Sequence, residues 1–347
     1  MSPKKASITE VAKLANVSIT TVSRVMNDSS HPVNEDTRQR VLKAAKELSY
    51  SPSALAQAMV SKDTKIIGVI VGDTSDPYFA SIVRGVEDVA RSYGYVVIVC
   101  NSDRQPEIEL RYLDVLDSYR VDGVIFTGSG LSDEAYIDNI TPYIEHFENR
   151  GAAVITMGRH YFPSILVSYD NYQALKEAAN HLVDLGHTRI AYVSGPEVLT
   201  SFESRLEGYI DSLNENGINF EPDYYFQGDF SYDSGQLAAD RIMTMDRPPT
   251  AVLCANDWMA IGCLTALKRQ GVAIPGDMSV MGIGDIDSSS YIEPSLTTVS
   301  LPLQDMGAMA MDCLIQQRAG NLTEQDLPVL PHEIIIRNST GQAPHTE

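Results

Sequence analysis

The chain lacks any apolar run of about 18 residues, the length that a membrane-crossing helix needs. Its basic start, MSPKKASITE, is not followed by the apolar stretch of a secretory signal. Both absences point to the cytoplasm and away from a membrane. Cysteine is scarce as well: Cys100, Cys254, Cys263 and Cys313 sit far apart among apolar neighbours without a CxxC pair. They are expected as reduced, mostly buried thiols, and neither a disulfide framework nor a zinc site is indicated. Enzyme signatures are missing too, since no GxSxG elbow, P-loop, strand-following GxGxxG or HExxH occurs. His181 and His187 are spaced six apart, which suits two ligands on one helix face poorly. The expectation is a protein without catalysis, cofactor or metal, and 347 residues suffice for two or three packed units.

Positive charge is short overall, with 26 Lys and Arg against 46 Asp and Glu for a formal net charge of −20, yet it is unevenly spread. Through residue 65 there are ten basic and six acidic side chains, a balance of +4. That leaves 16 against 40 in the remainder, a balance of −24. A small basic head on a large acidic body suggests a nucleic-acid-facing module attached to a unit with another task. The acidity of the body either discourages unproductive contact with DNA or reflects a salty cytoplasm.

Within the head, Ile8, Val11, Ala12 and Ala15 follow the spacing of an amphipathic helix, with Ser7 or Thr9 as its cap. The turn ANVS follows, in which Asn16 tolerates positive φ and Ser18 can cap a second helix. At about 100° per residue, Val22, Val25 and Met26 of SITTVSRVMN share one face, and Thr20, Ser23, Arg24 and Asn27 share the other. A third helix opens at Asn34, carries Glu35 and Asp36 in its first turn, and presents Val41, Ala45 and Leu48 inward. Two helices around a tight turn with a third across them form a helix-turn-helix unit, which is either a DNA reader or a plain packing element. The next segment, SPSALAQAMVSKDTK, offers Ser51 as N-cap and Pro52 at the first position of a helix of roughly two turns. So short a helix folds only when something stabilises it.

From Lys65 on, near-continuous apolar runs alternate with helical stretches: KIIGVIVGD, GYVVIVCNSD, VDGVIFTGSG, GAAVITMGRH, RIAYVSGP, PTAVLCAND and MSVMGIGDID. Such runs indicate parallel sheets covered on both faces. The pattern runs twice, about 65–161 and 162–292, which suggests two similar α/β lobes. Each run ends in small or polar residues, and ligands of such folds bind at the carboxyl ends of the strands. The tips are therefore expected to face one another across a cleft. The loop TGSGLSD is at most a weak cradle for phosphate.

ITEVAKLANVSITTVSRVMN, the YSPSALAQAM linker, GHTRIAYVSGP, RLEGY, CANDWMAIG and PSLTTV occur in this order across about residues 7–338. Together they resemble the lactose-repressor (LacI/GalR) family of bacterial transcription regulators. The resemblance implies a helix-turn-helix DNA-binding domain over 1–50, a hinge helix or linker over 51–64, and an effector-binding and dimerisation domain over 65–340. That body resembles periplasmic sugar-binding proteins, with lobe one at about 65–161 plus 303–325 and lobe two at about 162–292 plus 326–340. It also implies that Ile19, Thr20 and Arg24 read base edges in the major groove of double-stranded DNA, with Thr21, Ser23, Asn27 and His31 near phosphates. Met59 would wedge into the central base step, where the family usually carries leucine. In the cleft, Ser75, Thr127, Arg159, Arg205 and Asn256 are the implied polar contacts of a small sugar-like effector. Tyr78, Phe79 and Phe230 either wall the site or pack in the core, and Trp258 lies either near the cleft or in the packing.

The family often shows a GFDD-like strand end whose first aspartate accepts from sugar hydroxyls, but this chain reads Gly282-Ile283-Gly284-Asp285, so the position falls on Gly284. Losing a carboxylate, with Arg159 and Arg205 nearby, suits a sugar acid or sugar phosphate. A one-residue shift would instead restore Asp285 to the role. The expected protein is a homodimeric regulator, a repressor by preference, on a palindromic operator. The tail STGQAPHTE has no leucine heptad to build a tetramer. The alternative is a sugar-binding protein of the periplasmic type with no regulatory role, against which the basic head and the missing signal weigh.

Overall fold

A computed structural model describes residues 6–26, 31–50, 63–322 and 329–344. The chain divides into two compact units, Met1–Lys65 and Ile66–Glu347.

In the first unit, α1 (Ile8–Ala15) starts at Ser7, whose side chain accepts from the Glu10 amide while the Glu10 carboxylate reaches back to the Ser7 amide. This reciprocal pair satisfies two otherwise orphaned donors and fixes the helix start at Ser7. Asn16 ends the helix in the left-handed region at φ 53°. The Ser18 hydroxyl then accepts from the Thr21 amide to begin α2 (Ile19–Met26). Helix α3 (Glu35–Glu47) is capped by Asn34, and Arg40 donates from α3 to the Ala15 carbonyl at 3.2 Å, closing the end of α1. Val11, Ala12, Ala15, Val22, Val25, Val41, Ala44 and Ala45 form one small core. Residues 51–62, which contain the hinge segment and Met59, and residue Asn27 lie outside the described residues.

The second unit holds two sheets. Strands β1 (Ile66–Val71), β2 (Val96–Asn101), β3 (Gly123–Phe126), β4 (Ala153–Thr156) and β5 (Ile165–Leu166) lie in the order β2-β1-β3-β4-β5, all parallel. Strands β6 (Ile190–Ser194), β7 (Tyr225–Gln227), β8 (Ala251–Cys254), β9 (Ser279–Gly284), β10 (Thr297–Ser300) and β11 (Glu333–Ile335) form the other in the order β11-β10-β9-β8-β6-β7. Two details depart from the sequence pattern. Strand β5 pairs with β4 and carries the first sheet past residue 161. The edge strand β11 runs antiparallel to β10, so the second sheet is mixed.

The helices of the body are α4 (Pro77–Ser92), α5 (Pro106–Ser118), α6 (Glu134–Asn149), α7 (Asn171–Asp184), α8 (Ser201–Glu215), α9 (Tyr232–Ile242), α10 (Asp257–Arg269), the short α11 (Ser288–Tyr291) and α12 (Leu303–Arg318). The chain crosses between sheets after β5, after β10 and after α12. Helix α12 thereby returns to pack on α4 of the first lobe. Glycines set these helix contacts. A Cβ on Gly85 of α4 would overlap the Gln304 backbone of α12, and one on Gly307 would overlap the Ile82 backbone of α4. Cys100, Cys254, Cys263 and Cys313 are all free and buried.

The tail is threaded into the second lobe. His187 is fully buried, with Nδ1 2.9 Å from the Thr250 hydroxyl and Nε2 3.1 Å from the Gly341 carbonyl. A carbonyl only accepts, so Nε2 carries the proton of a neutral ring. Burial holds the His187 pKa below the usual histidine value. A folded pKa below the unfolded one means that its contribution is complete above about pH 6.5 and declines as pH falls. Replacing His187 by glutamine should lower stability by about 1–3 kcal/mol at pH 7.5. The melting-temperature gap from wild type should narrow by pH 5; a gap that widens on acidification contradicts the neutral ring.

Candidate functional site

Two surfaces carry the candidate chemistry. On α2, Val22 and Val25 are buried against α1 and α3, which leaves Thr20 and Arg24 exposed on the opposite arc. Ile19 stands beside them at 48% exposure, unusually open for an isoleucine. Thr21 is half-buried, its hydroxyl 2.9 Å from that of Ser18, so it belongs to the helix cap as well as to the edge of this face. Ser23 is half-buried and His31 exposed. Among the described candidates, Ile19, Thr20 and Arg24 therefore share one exposed strip.

The second surface is a cleft between the two lobes of the body, enclosing about 970 Å³ including the solvent at its mouth. The carboxyl ends of the strands supply its walls. Asp76 caps α4 by accepting from the Tyr78 amide, and this sets Tyr78 and Phe79 at the cleft. Gly72 lets the Phe79 ring in, since a Cβ there would sit 2.9 Å from it. Gly195 does the same for Phe230 across the cleft.

Of the nine implied effector contacts, Tyr78, Phe79, Thr127, Arg205, Phe230 and Asn256 line the cleft. Ser75 lies at the mouth, with its hydroxyl donating to Asp73 at 2.7 Å. Two are placed elsewhere. Arg159 is exposed with its guanidinium over the Tyr161 ring, because its backbone carbonyl is held by Gly130 and Thr200. Asp285, at φ 55°, pairs with Arg337 at 2.7 Å, while Gly284 lines the cleft. The shift that would have returned Asp285 to the cleft does not occur.

The lining side chains differ in what they can still offer. Asn256 donates to the Phe230 carbonyl and accepts from the Met259 amide, so its first task is to hold the Phe230 loop against α10. The Thr127 hydroxyl donates to the Ile70 carbonyl at 3.0 Å and can present only a lone pair. Arg205 is buried; it donates to the Asn171 side chain at 2.7 Å, the Ala255 carbonyl at 3.1 Å and the Tyr169 hydroxyl. Every one of these is a neutral acceptor.

The cleft also holds groups that the sequence did not single out: Arg104, Glu109, Tyr136, His160 and Asp257. His160 packs on Phe126 and Phe162, and burial lowers its pKa to about 4. Its Nδ1 faces the Gly158 carbonyl at 2.9 Å, so a neutral ring leaves Nε2 as an acceptor. Asp257 accepts from the Ile286 amide and from the hydroxyls of Ser289 and Thr298, while burial raises its pKa to about 6. Glu109 accepts from Tyr136 and Ser102, and burial pushes its pKa up. Both carboxyls already have donors, so they behave as parts of the wall. Trp258 lines the cleft and its mouth. Among the described residues no cluster of His, Cys, Asp or Glu could hold a metal, and no helix is long and apolar enough to cross a membrane.

Known proteins match both surfaces. The family of bacterial regulatory proteins of the lacI type matches residues 7–53, and the family of periplasmic binding proteins and sugar binding domain of LacI family matches residues 64–332. The HTH-type transcriptional repressor CytR of Escherichia coli (strain K12) is 34% identical over 342 residues, 98% of this chain and 97% of that protein. The Lac repressor dimer bound to operator and the anti-inducer ONPF is 28% identical with a TM-score of 0.84, covering 97% of this chain and 100% of that one. The transcriptional regulator CelR in complex with cellobiose is 28% identical with a TM-score of 0.71, covering 96% and 99%.

Proposed function

From the premise that the chain belongs to the LacI family of bacterial regulatory proteins and is a DNA-binding transcriptional regulator with an effector-binding body, we propose that it works as a homodimeric repressor of a palindromic operator. A sugar-like molecule held in the interlobe cleft controls it. The observation that carries the DNA half is the exposed strip of Ile19, Thr20 and Arg24 on a helix whose other face buries Val22 and Val25 in the head's core. Ile19 suits a thymine methyl, Thr20 either base class, and Arg24 the paired acceptors of guanine. The matched dimer on operator supports two heads on two half-sites. One head makes few contacts, and tethering raises the effective concentration of the second.

The effector half rests on the cleft. Aromatic rings from both lobes and a buried arginine suit a polyol's C–H faces and hydroxyls, and a related regulator is known in complex with cellobiose. A ligand that touches both lobes shifts the population between open and closed bodies, and this changes how the two heads are presented to DNA. Family members are transcriptional regulators, and the role assigned to the cleft is binding without turnover.

The test is selection of duplexes from a randomised pool by the full-length protein, followed by the same measurement on Arg24→Ala. A two-fold symmetric site should emerge. Arg24→Ala should lose about 1–3 kcal/mol of discrimination at one base pair of each half-site. Equal weakening on every sequence would reduce Arg24 to a phosphate contact, and recovery of no symmetric site would remove the dimeric reader.

A further inference from the structure

Arg104 is the cleft residue whose position is hardest to explain by folding alone. It follows β2 in a backbone bent through two successive left-handed residues, Asp103 at φ 51° and Arg104 at φ 57°. Neither is glycine, and such conformations are unfavourable unless the surroundings impose them, which makes them candidates for function. The kink is held by Ser102, whose hydroxyl accepts from the Arg104 amide at 3.3 Å and whose amide donates to the Val71 carbonyl at 2.9 Å. It carries the guanidinium to 5.5 Å from the Phe79 ring of the first lobe and 5.3 Å from the Phe230 ring of the second. Gly72 leaves the room, since a Cβ there would lie 3.2 Å from Arg104 Nε.

Two aromatic faces thus flank a planar cation that borders both the cleft and its mouth. Among the described residues no hydrogen bond or ion pair engages this guanidinium. The acids nearby are committed to local turns: Asp73 accepts from Ser75, Asp76 caps α4, and Asp229 accepts from Ser231. A guanidinium fork with unsatisfied donors matches a carboxylate or phosphate bidentately. At the strand end opposite, the position is Gly284, and the carboxylate beside it, Asp257, is already held by the Ile286 amide and the Ser289 and Thr298 hydroxyls.

Building on the sugar-like reading of the cleft, we propose that Arg104 is its specificity-determining residue and that the effector carries an anionic oxygen group, a carboxylate or a phosphate, which Arg104 engages. Arg205 contributes the second cation from the other lobe. The anion expected earlier from Arg159 and Arg205 is read instead by Arg104 and Arg205, and bridging them draws the lobes together.

Trp258, the sole tryptophan, lines the cleft and reports on it directly. Full-length protein is titrated with gluconate, inorganic phosphate and glucose at matched ionic strength, with potassium chloride as blank, and Trp258 fluorescence is read. Gluconate and phosphate should give saturable changes that glucose does not match. Arg104→Ala should weaken them at least about tenfold, while Arg159→Ala leaves them unchanged. A glucose response equal to that of gluconate, or an unchanged anion response in Arg104→Ala, overturns the assignment while leaving a sugar-binding cleft in place. A signal that stays flat with sugar and anions alike overturns both.

Discussion

Arg205→Ala should abolish the response of the protein to its effector and weaken the body at the same time. The guanidinium is buried and donates to Asn171, Ala255 and Tyr169. Its removal leaves two buried acceptors, the Ala255 carbonyl and the Tyr169 hydroxyl, and the half-buried Asn171 side chain without this donor, each buried one costing about 1–3 kcal/mol. Ligand affinity should fall by at least about 30-fold, because truncating one side of a buried, charge-assisted contact typically costs about 2–5 kcal/mol. Arg205→Lys restores the charge without the planar fork and should recover only a small part. Calorimetric titration of both variants measures the affinities, and thermal unfolding separates lost binding from lost fold. Retained affinity in a folded Arg205→Ala protein would show that the ligand does not reach this side chain.

Gly85→Val should be the most damaging single change outside the cleft. The atoms it would meet are backbone atoms of Gln304 and Ala308, which cannot rotate out of the way as a side chain can. Helix α12 would have to lift from α4, and Gly307, which contacts the Ile82 backbone in return, would lose its fit at the same stroke. Overpacking a core usually costs about 1–3 kcal/mol; a clash with main chain on both helices should exceed that, toward about 4 kcal/mol, read as a fall in urea midpoint at unchanged slope. The damage reaches function indirectly, since α12 is the segment that returns to the first lobe after β10. A midpoint within the error of wild type would mean that the helices are not held this close.

Most of the architecture was legible because the signals were long. Seven apolar runs became β1, β2, β3, β4, β6, β8 and β9, and the three head helices were written in spacing and caps: Ser7, Asn16, Ser18 and Asn34 all perform the local tasks that their chemistry allows. The strands that escaped are short. β5 has two residues and β7 and β11 have three, too few for a period to register, whereas β10, as long as β3, β4 and β8, reads TTVS and so lacks their apolar run. Strand tips located the cleft, yet the choice among side chains at each tip depended on loop backbone. Arg159 turns out to solvent because its carbonyl is pinned from two sides, whereas Arg104, one residue past the tip Asn101-Ser102-Asp103, turns in through its left-handed kink. Asp285 was lost to Arg337, more than fifty positions away, a pairing that no local pattern announces. Asp257 reads locally as a helix start, and only the fold brings Ser289 and Thr298 onto it.

The division of charge gains a physical sense from the same picture. A head with a balance of +4 can approach DNA on a chain of net −20, since charges beyond roughly 10 Å are screened at 0.1 M salt.

The central claim is that the cleft and the head are thermodynamically coupled. Its most direct test is the dissociation constant of full-length protein for its selected duplex, measured with and without a ligand that saturates the Trp258 signal. Coupling predicts a change of about 5–150-fold, with the duplex altering the ligand's affinity by the same factor. A duplex affinity that stays constant while the cleft fills would contradict it.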